Sequence, residues 1–260
     1  LLLSGSLSLA AEPCAVLLVP GAFGNDKSGF FLKEQDYFAE YAAFFHSKGC
    51  AVQKVEFPAD VSIEASSAIL KAVAERFHAA HSGVPMTLIA HSLGALDVRY
   101  ALRRLEIPGV AFVVSIGAPN HGTPVADWVV RERERQGWLY WLIKWVGRYD
   151  LRALEFAGET TEAFLDEHQD DFELVPGVRY ASGRVVCKTR CFWALKGLAW
   201  WFKMNRSDGM IPEESQRLGD DLGEYDLDHI SEVAADSEKR GERGKLLAAI
   251  WDWMQAKKIQ

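Results

Sequence analysis

Ser92 is the residue of this chain best placed to act as a nucleophile. It stands in Ala90-His91-Ser92-Leu93-Gly94, behind an apolar run over residues 86–90 and ahead of a helix-forming stretch that reaches Leu105. Strand, sharp turn and helix in that order make a nucleophile elbow, which lifts the serine Oγ clear of the sheet. Small residues two before and two after the serine let strand and helix approach closely; Ala90 replaces the commoner glycine and adds only a methyl. A serine hydroxyl is a weak nucleophile alone. It needs a base to take its proton, an acid to orient that base, and N–H donors for the oxyanion that forms.

Enzymes built on such an elbow supply these groups in the chain order Ser, then Asp or Glu, then His. Three histidines follow Ser92: His121, His168 and His229. His121 sits just past a predicted strand, and His168 lies in an acidic helical stretch over residues 161–171, where a surface position is expected. His229 occupies a polar loop, Asp226-Leu227-Asp228-His229-Ile230, shortly before the last helix, where the base belongs. For the acid, Asp208 lies in the turn Arg206-Ser207-Asp208-Gly209-Met210-Ile211-Pro212, from which a carboxylate can accept the imidazole N–H and fix its tautomer. Asp226 and Asp228 are rivals, but they are too close to His229 in sequence to reach it easily from another strand end. The oxyanion donors expected beside such an elbow are the backbone N–H of Leu93 and one from the loop after the first strand, Val19-Pro20-Gly21-Ala22-Phe23-Gly24, where Ala22 is the natural second donor. A plain turn explains Gly21 and Gly24 equally well when that loop is read alone.

The elements that must position these residues alternate. Apolar strands are expected at residues 15–19, 51–57, 86–90 and 110–117, with helices at 34–48, 63–81 and 93–105 between them. Such alternation predicts an α/β fold, a mostly parallel sheet with helices on both faces. The pattern breaks at about Asp127 and resumes with a strand at 178–182. A final helix over residues 239–256 should lay Leu246, Leu247, Ile250 and Trp253 on the sheet.

Composition bounds the function. A net charge of −7 over 260 residues excludes the basic face of a nucleic-acid binder. The chain can bury one substantial core, and past the leader no run of about 20 apolar residues crosses a membrane. Residues 1–11 read as the remnant of a secretory signal, ending in the small-x-small site Ser8-Leu9-Ala10; a short apolar strand is the plainer alternative. Secretion or periplasmic export is therefore expected, with residues 12–260 as a single domain. Cys14 and Cys50 open neighbouring predicted strands within disulfide reach, and Cys187 and Cys191 can close a small loop; four free thiols remain the alternative. Zinc-ligand spacing is lacking, so no metal is expected.

At this point the chain resembles the secreted bacterial triacylglycerol lipases of the true-lipase family, an α/β-hydrolase group. The likeness runs through residues 14–126 and again through about 160–235. Besides the elbow, it is carried by Ser115-Ile116-Gly117-Ala118-Pro119-Asn120-His121-Gly122-Thr123-Pro124, Thr160-Thr161-Glu162-Ala163-Phe164, Ser207-Asp208-Gly209 and Asp228-His229-Ile230-Ser231-Glu232-Val233. The resemblance implies Ser92 as nucleophile, Asp208 as acid, His229 as base, and Ala22 and Leu93 as oxyanion donors. Three departures stand out. Pro20 replaces the family's histidine at the oxyanion turn, so the loop must be held differently. Ser231 stands where the family commonly has a calcium-binding Asp, with Glu232 the only carboxylate beside it, so calcium is not expected. The cysteine positions do not reproduce the family's usual disulfide.

Seven of the nine tryptophans lie between residues 128 and 201. Trp138, Trp141, Leu142 and Trp145 form a helical apolar stripe inside an insertion at about 127–159, and a second aromatic segment covers about 191–204. A core extension is the plain reading of such a stripe. Family lids occupy this position, and the expectation is a lid that meets a lipid–water interface. The expected activity is a serine-dependent lipase or carboxylesterase acting on acylglycerol or other carboxylic esters, without cofactor. The alternatives are a lipid acyltransferase or phospholipase with the same triad, and a non-catalytic membrane-surface protein.

Overall fold

The computed structural model describes residues 14–22, 37–58, 61–135, 155–234 and 237–258. In chain order the elements are β1 (Ala15–Val19), α1 (Ala39–Ser47), β2 (Ala51–Lys54), α2 (Ile63–Ala80), β3 (Met86–His91), α3 (Gly94–Leu105) and β4 (Val110–Ile116). They continue with α4 (Pro124–Arg135), α5 (Glu155–Gly158), α6 (Glu162–Glu167), β5 (Arg179–Val185), α7 (Trp193–Trp201), β6 (Asp220–Tyr225) and α8 (Arg240–Lys258).

Every residue of β1 and β3 is buried, because helices cover both faces of the sheet. The period-two alternation of a strand divides β1 between two cores. Leu17 and Val19 pack with Leu70, Leu88 and Val98 under α2 and α3, while Val16 and Leu18 pack with Tyr41, Phe45, Ile89, Leu246 and Ile250 under α1 and α8. Each such buried leucine or isoleucine contributes about 2 kcal/mol. The strands form one parallel sheet in the order β2-β1-β3-β4-β5-β6. The chain leaves β1 for β2 on one side and returns as β3 on the other. The order therefore reverses between β1 and β3, and open parallel sheets bind ligands outside the strand C-termini at such a point. The loop Pro20-Gly21-Ala22 leaves β1 there, and Ser92 leaves β3.

Several boundaries differ from expectation. β2 stops at Lys54 rather than residue 57, since its only neighbour, β1, ends at Val19; Val55 still bonds Leu18 O and stays buried. β6, Asp-Asp-Leu-Gly-Glu-Tyr, went unanticipated because an edge strand with half its surface in water carries no apolar signal. Past β4 the next strand among the described residues is β5, with α4, α5 and α6 between them; α4 starts at Pro124, where proline's missing N–H and fixed φ suit a first helical turn, and runs to Arg135. The aromatic segment is a helix, α7. α8 buries Leu246, Leu247 and Ile250 as expected, with Trp253 half-buried against Phe112. Both expected cysteine pairs, Cys14–Cys50 and Cys187–Cys191, are disulfides. Residues 1–11 and the stripe Trp138, Trp141, Leu142 and Trp145 lie outside the described residues.

Candidate active site

Ser92 sits between the end of β3 and the start of α3 with φ +54°, a left-handed conformation that a side chain other than glycine's rarely adopts. Its N–H is tied to Ile116 O at 3.0 Å, which braces the turn against β4. Two glycines make the approach possible. A Cβ on Gly94 would lie 2.4 Å from Pro20 O, and one on Gly21 would lie 2.6 Å from Ser92 Cβ. The oxyanion-loop candidate is thus in van der Waals contact with the serine.

The C-terminal half of the sheet delivers the other two groups. Asp208 lies in the turn between α7 and β6, fully buried, with Oδ1 accepting the Met210 and Ile211 N–H groups at 2.7 Å each. Its Oδ2 accepts His229 Nδ1–H at 2.8 Å, and the backbone N–H of His229 donates to Asp208 O at 3.0 Å. His229 Nε2 then accepts the Ser92 hydroxyl at 3.0 Å. Hydroxyl, imidazole and carboxylate are therefore joined in one line, the arrangement in which a serine proton passes to a base of fixed tautomer.

The rival carboxylates are engaged elsewhere. Asp226 accepts the Lys188 and Thr189 N–H groups, and Asp228 accepts those of Ile230, Ser231 and Phe192. Together they fasten residues 187–192, and with them α7, to the loop that carries His229. His121 is exposed, and His168 stacks on Phe164 with Nδ1 against Phe164 O; neither reaches Ser92. Ser231 Oγ accepts the Asp228 N–H, so it serves the loop. The N–H groups of Ala22 and Leu93 have no acceptor among the described residues. Both residues belong to a small apolar cluster with Ile63, Leu96, Leu165 and Phe172 beside the serine.

A second buried group lies behind the triad, and reading the sequence did not find it. Tyr37 OH accepts the Gly21 N–H at 3.1 Å and donates to His91 Nδ1. On the far side of that imidazole, His91 Nε2 is 2.9 Å from Glu232 Oε2, and Glu232 Oε1 is 4.0 Å from His229 Nδ1. Burial raises the Tyr37 phenol well above its usual range, so it stays protonated. Burial first, and the neighbouring His229 imidazole second, push His91 well below the usual imidazole range and keep it neutral. Burial first, and the neighbouring Asp208 carboxylate second, hold the Glu232 carboxyl well above the usual carboxylate range. Glu232 Oε1 and Oε2 and His91 Nε2 have no well-aligned hydrogen-bond partner among the described residues. The tyrosine also answers the question Pro20 raised: Gly21 is held by a phenolic oxygen. His91, His229 and Glu232 place three possible metal-ligand atoms within 4.8 Å of one another. A cation there would have to strip His229 Nδ1 from Asp208, so the cluster suits protons better than a metal.

A cleft of about 420 Å³ opens on the Asp208 side, lined by Leu195, Ala199, Trp200, Met204 and Gly209 among others. No helix among the described residues is long and apolar enough to cross a membrane.

No protein-family model matches the chain. It is 31% identical over 105 residues to triacylglycerol lipase 2 of Saccharomyces cerevisiae, a match covering 38% of this chain and 32% of that protein, so it spans about a third of the relative's length. Among solved structures, a metagenomic carboxyl esterase superposes with a TM-score of 0.74 at 19% identity, covering 95% of this chain and 77% of that one. The Staphylococcus hyicus lipase superposes with a TM-score of 0.70 at 14% identity, over 98% and 100% of the two chains. A Bacillus licheniformis lipase in mature form gives 0.64 at 22% identity, over 85% and 86%. The chain has the α/β-hydrolase fold found in lipases and esterases.

Proposed function

We propose that this protein hydrolyses carboxylic esters, acylglycerols among them, through an acyl-enzyme on Ser92. The observation that carries the reading is the line Ser92 Oγ–His229–Asp208, with contacts of 3.0 and 2.8 Å, at the crevice where the strand order reverses. His229 Nε2 takes the serine proton as Oγ attacks the ester carbonyl carbon. The N–H groups of Ala22 and Leu93 receive the oxyanion, and Asp208 stabilises the imidazolium. His229 returns the proton to the leaving alcohol, and a water repeats the sequence to release the acid and regenerate Ser92. The apolar cluster around Ile63, Leu96 and Leu165 supports an acyl chain as the bound part. The partial likeness to a yeast triacylglycerol lipase supports the same class. Two disulfides support an oxidising compartment, in keeping with export.

The test is hydrolysis of p-nitrophenyl butyrate and of emulsified long-chain triglyceride by wild type and Ser92→Ala. Activity on both that disappears in the variant supports a lipase, and activity on the short ester alone narrows the reading to a carboxylesterase. Activity that survives Ser92→Ala refutes the mechanism. We further propose that the insertion at about 127–159 acts as a lid. Shortening residues 138–149 should then lower triglyceride turnover while sparing the short ester, and equal loss on both would remove the lid from the account.

A further inference from the structure

Helix α7 is amphipathic the wrong way round for a helix that only packs. At 100° per residue, Lys196, Trp200 and Trp193 fall within about 60° of one another and Trp201 about 80° beyond Trp193, while Leu195, about 160° from Trp193, is buried; Lys203 follows in the turn just past the helix, with φ +55°. The three indoles are 79%, 79% and 65% exposed, in a chain whose only other exposed large apolar side chain among the described residues is Leu174. Tryptophan left in water on a helix is costly by hydrophobic transfer and needs an explanation.

The charge around it is as unusual. Between Glu173 and Asp208 the sequence holds seven lysines and arginines and no carboxylate, in a chain of net charge −7. Most of these cations are neutralised by acids from other segments: Arg184 by Asp221 and Glu213, Lys188 and Arg206 by Glu224, Arg190 by Glu238. Lys196 and Lys203 are exposed and make no ion pair among the described residues. Arg179, at the start of β5, donates to Lys257 O; the other two cations without an ion pair among the described residues, Lys196 and Lys203, stand on and just past the helix that carries the three tryptophans.

We propose that α7 docks the protein on an anionic lipid surface, its indoles entering the interface and Lys196 and Lys203 meeting the acidic headgroups. Indoles suit this layer because their rings are apolar and their N–H is polar, and lysine stems reach back to the headgroups from beneath. A rigid protein partner would instead need pockets shaped to three separate protruding rings. The placement is also useful to the site: α7 is tied by Asp226 and Asp228 to the His229 loop, and its cleft reaches Asp208 and Gly209. Docking through α7 therefore brings the triad to the interface. The proposal deepens the ester-hydrolase reading by naming the surface on which substrate is met, yet the binding it describes requires no turnover.

The test uses full-length Ser92→Ala, so that no lipid is consumed. Its partition onto large vesicles of phosphatidylcholine is compared with that onto phosphatidylcholine mixed with phosphatidylglycerol, by co-sedimentation, at low and high salt. Binding should favour the mixed vesicles and weaken with salt, and Lys196→Gln with Lys203→Gln should reduce it roughly fivefold per lysine. Trp193→Ser with Trp200→Ser should abolish it on both surfaces; these residues are exposed, and unchanged circular dichroism and Tm confirm that the variants fold. Equal binding to neutral and anionic vesicles, or binding indifferent to both sets of substitutions, overturns the proposal. A change of oligomeric state in the tryptophan variant with vesicle binding intact also overturns it, since α7 would then serve a protein contact. If wild type proves inactive on every ester while vesicle binding behaves as described, the docking stands and the enzymatic reading falls.

Discussion

Replacing Tyr37 with phenylalanine removes one hydroxyl and strands two buried groups, the Gly21 N–H and His91 Nδ1. Leaving a buried donor or acceptor unpartnered costs about 1–3 kcal/mol. A Cβ on Gly21 would lie 2.6 Å from Ser92 Cβ, and Gly21 precedes Ala22 directly, so a loosened Gly21 moves the donor proposed to receive the oxyanion. Complete loss of such a donor costs about 3–4 kcal/mol in turnover. A displaced donor keeps part of that, and a fall in kcat of roughly 10–100-fold is expected, about 1.4–2.8 kcal/mol. KM for p-nitrophenyl butyrate should stay within about twofold, since the lost contact matters to the developing charge and not to ground-state binding. His91→Leu should give the same fall, and the double variant no more than either alone, because both break one chain of contacts. A Tyr37→Phe enzyme with wild-type kcat and a lowered Tm would refute the reasoning, for the hydroxyl would then support the fold and not the loop.

Other substitutions test neighbouring statements. Glu232→Gln replaces a carboxyl that the fold keeps protonated above its unfolded value of 4.5. Wild type should therefore lose stability as pH rises past that value while the glutamine variant does not, so the variant's advantage in Tm grows with pH in melts; a pH-independent difference would contradict a neutral Glu232. Gly94→Ala pushes a Cβ to 2.4 Å from backbone Pro20 O, where no side chain can yield; loss of soluble, active protein is expected, and a normally active variant would contradict the close approach. The Cys14–Cys50 disulfide closes a separation of 36 residues and Cys187–Cys191 one of 4, so loop entropy predicts losses of about 4 and about 2 kcal/mol on their removal, read in denaturant titrations.

The parts of the fold that were legible are those whose cause is local. The strand into Ser92 announces itself because a central parallel strand is apolar throughout, and Ala90 and Gly94 flank the serine because backbone must pass within contact. Asp208 and His229 could be singled out by chain order and turn chemistry, and the structure brings those two residues to Ser92. β6 was illegible because water, not a core, surrounds half of it. Tyr37, His91 and Glu232 were illegible for another reason: each has an ordinary local setting, and only the tertiary fold brings positions 37, 91 and 232 to one spot.

The division of the site between distant parts of the chain has a kinetic consequence. Ser92 is set by β1, β3 and β4, whereas His229 and Asp208 depend on β5, β6 and α8 having joined the sheet. Parallel pairing of strands so far apart in sequence is slow, because loop closure precedes any reward from contact. During refolding, the serine's turn can therefore be complete while its base is still missing. Regain of hydrolysis should trail regain of helical circular dichroism, which makes turnover a reporter of the last strands to join.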